Sequence, residues 1–297
     1  MDLSVVIVNY KARDVLLQCL ESLAPDLAGL ASETVVVDND SRDGAPEALA
    51  ARFPAVRVIV NPENVGYGRA ANQGIRATSG EFVLVANPDC DSRPGAVRTL
   101  VDYLRAHPRA GIVGPRLMGG DGAIELSARA FPDAWAFFFN RYSVLTRIFP
   151  DNRWSRRYLL SDWDHASVRE VDWLSGAFLL VRRAAIDEVG PLDEAFFMFN
   201  EDVDWCRRMK QAGWANVYVP GAVVVHYIGA SRNRVSTRVI VERHRGMIHY
   251  FHKHHPSHPV LRALVDALIL ARAGAMLVRN AFRRPPKPVC PTPSRSR

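Results

Sequence analysis

The sequence predicts an α/β fold: a mixed, mainly parallel sheet with helices on both faces, followed by a C-terminal helical extension. Three observations carry this. Strand-like and helix-like runs alternate through about the first 115 residues, the pattern of a parallel sheet covered on both sides. The strand-like runs are continuously apolar, as strands buried on both faces require. The chain has 297 residues, 48% hydrophobic and 23% charged, which is enough to bury a full core and excludes a largely disordered chain, a collagen-like chain and a small disulfide scaffold.

Residues 3–9 (LSVVIVN) form the first strand, and residues 12–24 place Val15, Leu16, Cys19, Leu20 and Leu23 at helical spacing, with Pro25 beyond as a stop. Residues 34–38 are a second strand, Asp40 to Asp43 a turn and cap, 45–52 a helix and 56–60 a third strand. A helix over 68–78 ends at Gly80, a fourth strand covers 81–87, and helix 94–106 and strand 111–114 come next. Residues 131–172 are crowded with aromatic and Arg residues (among them Trp135, Phe138, Tyr142, Trp154, Tyr158 and Trp163) and predict a variable helix-and-loop insertion. Regular structure resumes with a strand at 174–182, a short helix at 184–189, a helix from Asn200 to about Gln211, and two strands at 215–219 and 222–226. Beyond 235 the pattern is helical, and 285–297, rich in Pro and Arg, reads as a disordered tail. The domains are therefore 1–232, 233–284 and the tail at 285–297.

Charge is uneven. Residues 1–227 hold 24 basic and 29 acidic residues (−5), whereas 228–297 hold 14 basic and 2 acidic (+12). Such a tail suits an anionic surface. Cys19, Cys90, Cys206 and Cys290 are scattered, which predicts reduced thiols in a cytosolic protein rather than a zinc site or a disulfide framework. No basic-then-apolar leader and no window of roughly 18 uncharged apolar residues is present, so neither a secretory signal nor a membrane span is expected.

In such sheets ligands bind outside the carboxyl ends of the strands, and the chemistry-bearing residues cluster there. Asp38 ends the second strand, where a carboxylate can accept hydrogen bonds from a base or ribose, or simply cap the next helix. Asn64, Gly66 and Gly68 come after the third strand and open a helix containing Asn72; this is a close-approach, anion-tolerant loop or a tight turn. Asp89 and Asp91 come after the fourth strand, two apart, so that in extended chain they project to one side and can share a hard cation, or stand as a solvated turn. Asn200, Glu201 and Asp202 start a helix, as a cap with acids in its first turn or as a general base at the mouth of a site. The helix dipole lowers the pKa of Asp202 and burial beside Phe197 and Phe199 raises it. His226 ends the last strand before Gly229, Arg232 and Arg234, as a structural His or a third metal ligand.

Taken in order, Ser4 to Tyr10, Val37 to Ser41, Asn64 to Gly66 with Asn72, Asn87 to Asp91, Trp173 to Ala177, Asn200 to Asp202, and His226 resemble glycosyltransferase family 2 in its rhamnosyltransferase-like branch. The resemblance covers about residues 3–232. It implies an A-type, Rossmann-like glycosyltransferase fold and an inverting transfer from a nucleotide sugar, with dTDP-L-rhamnose the preferred donor and UDP-sugars or GDP-mannose as alternatives. It implies that Asn9, Tyr10 and Asp38 hold the nucleoside with Asn64, Gly66 and Asn72 nearby. Asp89 and Asp91 approach the diphosphate, with Mg²⁺ or Mn²⁺ on Asp89, Asp91 and His226. Trp173 and Gly176 line the sugar pocket, Asp202 is the base and Glu201 supports it. Residues 131–172 fall on the acceptor side. The implied acceptor is a glycan or a polyprenyl-diphosphate-linked sugar in cell-envelope polysaccharide synthesis, which places the protein in the cytoplasm, peripheral on the inner face of the plasma membrane.

Residues 259–282 carry Leu261, Leu264, Val265, Leu268, Ile269, Ala275 and Met276 at helical spacing, flanked by Arg262, Arg272, Arg279, Arg283 and Arg284. This predicts either an interfacial helix on an anionic membrane or a helix packed on the domain with a solvated basic face. His249, His252, His254, His255 and His258 point to a surface or phosphate-proximal role rather than to zinc. Two other classes compete: a nucleotidyltransferase on a similar sheet, disfavoured by the Glu201–Asp202 helix start, and a nucleic-acid-binding protein, disfavoured by the acidic body and the lack of a nucleic-acid motif.

Overall fold

The computed structural model describes residues 1–132, 152–227 and 237–282. The expectations for Trp135, Phe138 and Tyr142, for Gly229, Arg232 and Arg234, and for the 285–297 tail lie outside the described residues.

The main sheet runs β3 (Arg57–Val60), β2 (Ser32–Asp38), β1 (Leu3–Asn9), β4 (Phe82–Ala86), β10 (Phe178–Arg182), β6 (Ala110–Gly119), β11 (Ala215–His226) and β5 (Cys90–Ser92), with β8 (Arg169–Val171) also paired to β11. Strands β1, β2, β3, β4, β6 and β11 share one direction; β5, β8 and β10 oppose it. A separate ribbon pairs β7 (Ala128–Arg129) with β9 (Trp173–Leu174). The pleat sets the layers. In β1, Leu3, Val5 and Ile7 meet α1 (Arg13–Leu27), α2 (Ala45–Arg52) and α4 (Ala96–Ala106). Val6 and Val8 meet the other layer, formed by α3 (Tyr67–Arg76), α6 (Arg183–Val189) and α7 (Glu201–Gln211). All seven residues of β1 are buried, which is why the run carries no polar alternation. The short α5 (Arg153–Leu159) lies within the 131–172 insertion.

Three expectations are corrected. The strand expected at 174–182 is divided between two sheets, β9 in the ribbon and β10 in the main sheet, with Ser175 to Ala177 between them outside any strand. Helix α1 does not stop before Pro25 but includes it. In the last turn a missing amide removes only one bond, and the extension presents Asp26, which accepts from the Gly95 (2.6 Å) and Val97 (2.7 Å) amides at the start of α4. Gly95 has no side chain to cap with, so Asp26 does so from another helix; such caps contribute about 1 kcal/mol. The strands expected at 215–219 and 222–226 are one strand, β11, whose register against β6 shifts between Val219 and Val223. Pro220 lies in that shift and has no amide to give the ladder.

The C-terminal extension is α8 (Thr237–His254) and then α9 (Pro259–Phe282), which pack on each other. Among the described residues no helix is long and apolar enough to cross a membrane. Cys19, Cys90 and Cys206 are buried free thiols, and burial pushes Cys19 up to about 12.

Candidate active site

The carboxyl rim of the sheet gathers three groups of side chains. The first is an amide frame. Asn9 and Asp38 end β1 and β2 as register partners. Asn9 Nδ2 donates to Asp38 Oδ1 (2.8 Å) and Ser41 Oγ (2.9 Å), and the Ser41 amide donates to Asp38 Oδ2 (3.1 Å). Asn39 and Asn61 extend the frame: Asn61 Nδ2 donates to Asn39 Oδ1 (3.1 Å), and Asn39 Nδ2 to Asn64 Oδ1 (3.0 Å). Asn64 Oδ1 also accepts from the Gly66 amide (3.0 Å). Gly66 has φ 92°, and a Cβ there would lie 2.7 Å from the Phe197 carbonyl oxygen, so only glycine fits. Asn9 Oδ1 is buried with no protein partner. Tyr10 is exposed, with the Lys11 ammonium 5.2 Å from its ring. Asn72 is fully buried and faces away from the rim's solvent: it donates to the Leu192 carbonyl (2.8 Å) and accepts from the Leu192 amide (3.1 Å). It pins the loop that leads to Phe197.

The second group is acidic with a histidine. Asp89 lies in the turn before β5, and His226 ends β11 beside Cys90. His226 Nε2 is 3.4 Å from Asp89 Oδ1, and its Nδ1 is 3.2 Å from Glu125 Oε2. Burial alone would depress this imidazole; the carboxylates on both nitrogens reverse that and raise it to about 9. Ligand atoms of Asp89, Cys90 and His226 lie within 4.8 Å of one another, and Asp91 is outside that group. Asp91 sits on β5 opposite Val225, and together with Asp89 it lines one shallow recess with Val15, Gln18 and Cys19.

The third group surrounds Asp202. Its Oδ2 accepts from the Gly176 amide (2.8 Å), and a Cβ on Gly176 would lie 3.0 Å from Asp202 Cβ. Gly176 comes just after β9, whose Trp173 is buried, donates to the Ala130 carbonyl (2.9 Å) and carries the Arg129 guanidinium 5.0 Å from its ring. Burial wins over the helix dipole at both acids. It raises Asp202, against the Gly176 and Val203 amides and the Arg129 charge, and it raises Glu201 further, aided by Asp202. Glu201 Oε2 is buried without a partner. Asn200 occupies the cap position with a left-handed backbone (φ 70°) and makes no side-chain cap hydrogen bond. Tyr67 joins the groups. Its hydroxyl is 3.4 Å from the Gly176 carbonyl, and burial together with the charges of Glu201, Asp202 and Asp89 keeps the phenol protonated.

Sequence reasoning missed Tyr67, Glu125 and Arg129. It also missed the support behind α7. Asp204 is fully buried and accepts from His254 Nε2 (2.6 Å), Lys253 Nζ (2.8 Å) and Arg208 Nε (2.8 Å), which tie α7 to α8 and hold its carboxyl far below the usual range despite burial. The neighbouring histidines serve similar ties rather than a phosphate: His249 faces Asp193 (3.3 Å) and His252 faces Asp266 (2.9 Å).

Residues 4–164 match the model for glycosyl transferase family 2. The chain belongs to that family. A curated relative, N-acetylglucosaminyl-diphospho-decaprenol L-rhamnosyltransferase of Mycobacterium tuberculosis H37Rv, is 35% identical over 95% of this chain and 94% of its own. Rhamnosyltransferase WbbL of Escherichia coli K12 is 24% identical over 75% of this chain and 82% of its own. Among solved structures, the mannosyltransferase PcManGT of Pyrobaculum calidifontis, in complex with GDP-Man and Mn²⁺, superposes with a TM-score of 0.55 at 18% identity, over 95% of this chain and 75% of its own. S. aureus TarS gives a TM-score of 0.54 at 16% identity, over 95% and 74%. This family 2 glycosyltransferase therefore has the A-type glycosyltransferase fold.

Proposed function

We propose that this glycosyltransferase moves L-rhamnose from dTDP-L-rhamnose onto a hydroxyl of a polyprenyl-diphosphate-linked N-acetylglucosamine, inverting the anomeric centre, at the cytoplasmic face of the membrane that holds such a lipid. The carrying observation is Asp202: a carboxylate aimed by the Gly176 amide, with a raised pKa, beside Trp173 and on the same rim as Asp89 and His226. A sugar hydroxyl is far too weak an acid to ionise at neutral pH, so it needs a carboxylate to take its proton as it attacks. A raised pKa makes Asp202 a stronger base than an ordinary aspartate. The Gly176 and Val203 amides hold its orientation, and Tyr67 stays a hydrogen-bond donor to the Gly176 carbonyl beside it. Asn9, Asp38 and Asn64 form the nucleoside side, and the orphaned Asn9 Oδ1 offers it an acceptor. The M. tuberculosis relative, matched almost end to end, supplies the choice of sugar and acceptor.

A carboxylate and an imidazole within reach of each other suit Mn²⁺ or Mg²⁺. The Cys90 thiol, raised by burial and 3.3 Å from the Ala177 carbonyl, stays neutral and is not counted as a ligand. Asp89 and His226 would hold the cation, with His226 giving up the proton that its two carboxylates favour; when bound, the cation supplies positive charge to the leaving diphosphate.

The test is transfer from radiolabelled dTDP-L-rhamnose to a synthetic polyprenyl-diphospho-N-acetylglucosamine, with the linkage read by NMR. An inverted rhamnoside is expected. Transfer from UDP- or GDP-sugars but not from dTDP-L-rhamnose would overturn the donor assignment. Chelation by EDTA should lower the rate more than about tenfold and Mn²⁺ should restore it; full activity in EDTA would remove the metal from the reading.

A further inference from the structure

Helix α9 is built inside out. Its charged residues up to position 278 all turn toward α8. Arg262 donates to the His252 carbonyl (3.3 Å), Asp266 pairs with His252 (2.9 Å), and Arg272 lies 3.3 Å from His244 Nε2. Val265, Ile269 and Ala273 complete that inner face. The sequence pattern placed Val265 and Ile269 on one stripe with Leu261, Leu264 and Leu268; the structure separates them, because the first two are buried and the last three are exposed. At 100° per residue, the outward half of the helix over 260–278 carries only Val, Leu, Ala and Gly. Leu264 and Leu270 are 55% and 58% exposed, and Phe282 is 86% exposed. A soluble surface helix shows the reverse arrangement, and a contiguous apolar face of this size marks an interaction site. The face ends at Arg279, with Arg283, Arg284 and Lys287 next in sequence.

We propose that the outward face of α9 inserts into an anionic lipid bilayer. The charge decides between a bilayer and a second copy of the chain. Residues 228–297 carry +12. Two copies joined through α9 would bring these segments together, whereas anionic headgroups neutralise them. Helix α9 lies in the plane of the interface, its leucines sunk about 5–10 Å into the headgroup boundary and its basic end among the phosphates. The charges that would have resisted insertion are turned inward onto α8. This deepens the function proposed above, because a lipid-linked acceptor is presented at such a surface.

The test uses the full chain, purified in the absence of donor and acceptor, and vesicles of phosphatidylcholine and phosphatidylglycerol in equal amounts. The triple variant Leu261→Gln, Leu264→Gln, Leu268→Gln changes only exposed positions. Flotation with vesicles should fall at least about tenfold in the variant, while wild-type binding, once formed, should survive salt that screens surface charge. A Phe282→Trp reporter should shift its emission to the blue on vesicles. Unchanged flotation of the triple variant would overturn the proposal, and so would a wild-type dimer in sedimentation that the triple variant abolishes. Transfer to a detergent-dispersed acceptor is measured in parallel. Its absence with vesicle binding intact would count against the reaction and support α9 as a bilayer-binding helix.

Discussion

The two sides of the rim are built on opposite principles. On the β1–β2 side, Asn9, Asp38, Asn39, Asn61 and Asn64 bond to one another, and nearly every polar atom has a partner in the protein. On the α7 side, Glu201 Oε2 and Asn200 Nδ2 are buried with none, and the backbone at Phe199 and Asn200 is left-handed (φ 68° and 70°). A mutually bonded frame of amides is rigid and nearly neutral, which suits recognition of a fixed shape. Buried carboxylates short of partners are held in a costly state, and such groups concentrate where chemistry is done. On the function proposed above, binding and proton transfer fall to separate halves of the chain, which meet where Phe197 packs on Gly66.

If this division is right, substitutions on the two sides give different kinetic signatures. Asp202→Asn should lower kcat about a thousandfold and leave the donor Kd, from calorimetry, within about twofold; parallel loss of both would erase the distinction. In the wild type, kcat/KM should fall as pH drops through a value above that of an ordinary aspartate, because the raised acid must be ionised to act. Asp204→Asn acts from behind the same helix. It leaves Lys253, Arg208 and His254 without their carboxylate and should cost about 3 kcal/mol in denaturant unfolding. Its native pKa is depressed, so its contribution is present above the unfolded pKa and is lost as pH falls. The variant should therefore match the wild type most closely in acid. On the donor side, Asp38→Ala removes an acceptor of two hydrogen bonds and should raise the donor KM about tenfold with a lesser change in kcat. The smallest effect is expected at Glu201→Gln. A raised carboxyl loses stability as pH rises past its unfolded pKa, so the neutral amide should add about 1 kcal/mol near neutrality and nothing in acid. A destabilised variant would show that Glu201 is ionised and partnered in the folded protein.

How far the sequence carried the reading depended on the range of the forces involved. The run at β1 was legible because both its faces are buried. Asp38, Asp89, Asp202 and His226 were candidates because each lies at or just beyond the end of a regular element, a local property, whereas Gly176 came from the family resemblance alone. Helix α1 ran past Pro25 because of Asp26, whose partners are about 70 residues away. Glu125 lies in an irregular stretch with no periodicity, and only the fold sets it against His226, 101 residues on. At Asp204 only Arg208, four residues on, left a spacing signal, since Lys253 and His254 come from α8. The contest between dipole and burial at Asp202 was open in the sequence because desolvation is a tertiary quantity.

The insertion of β10 between β4 and β6 sets a timetable for synthesis. Both neighbours leave the ribosome before it: β6 ends at Gly119 and β10 at Arg182. At about 5–20 residues per second, the nascent chain spends several seconds with the apolar edges of Phe82–Ala86 and Ala110–Gly119 unpaired. Those are the edges by which unfinished chains stick to one another. Expression yield should therefore depend on how fast codons 120–182 are decoded and on chaperones that shield strand edges, whatever the stability of the finished enzyme.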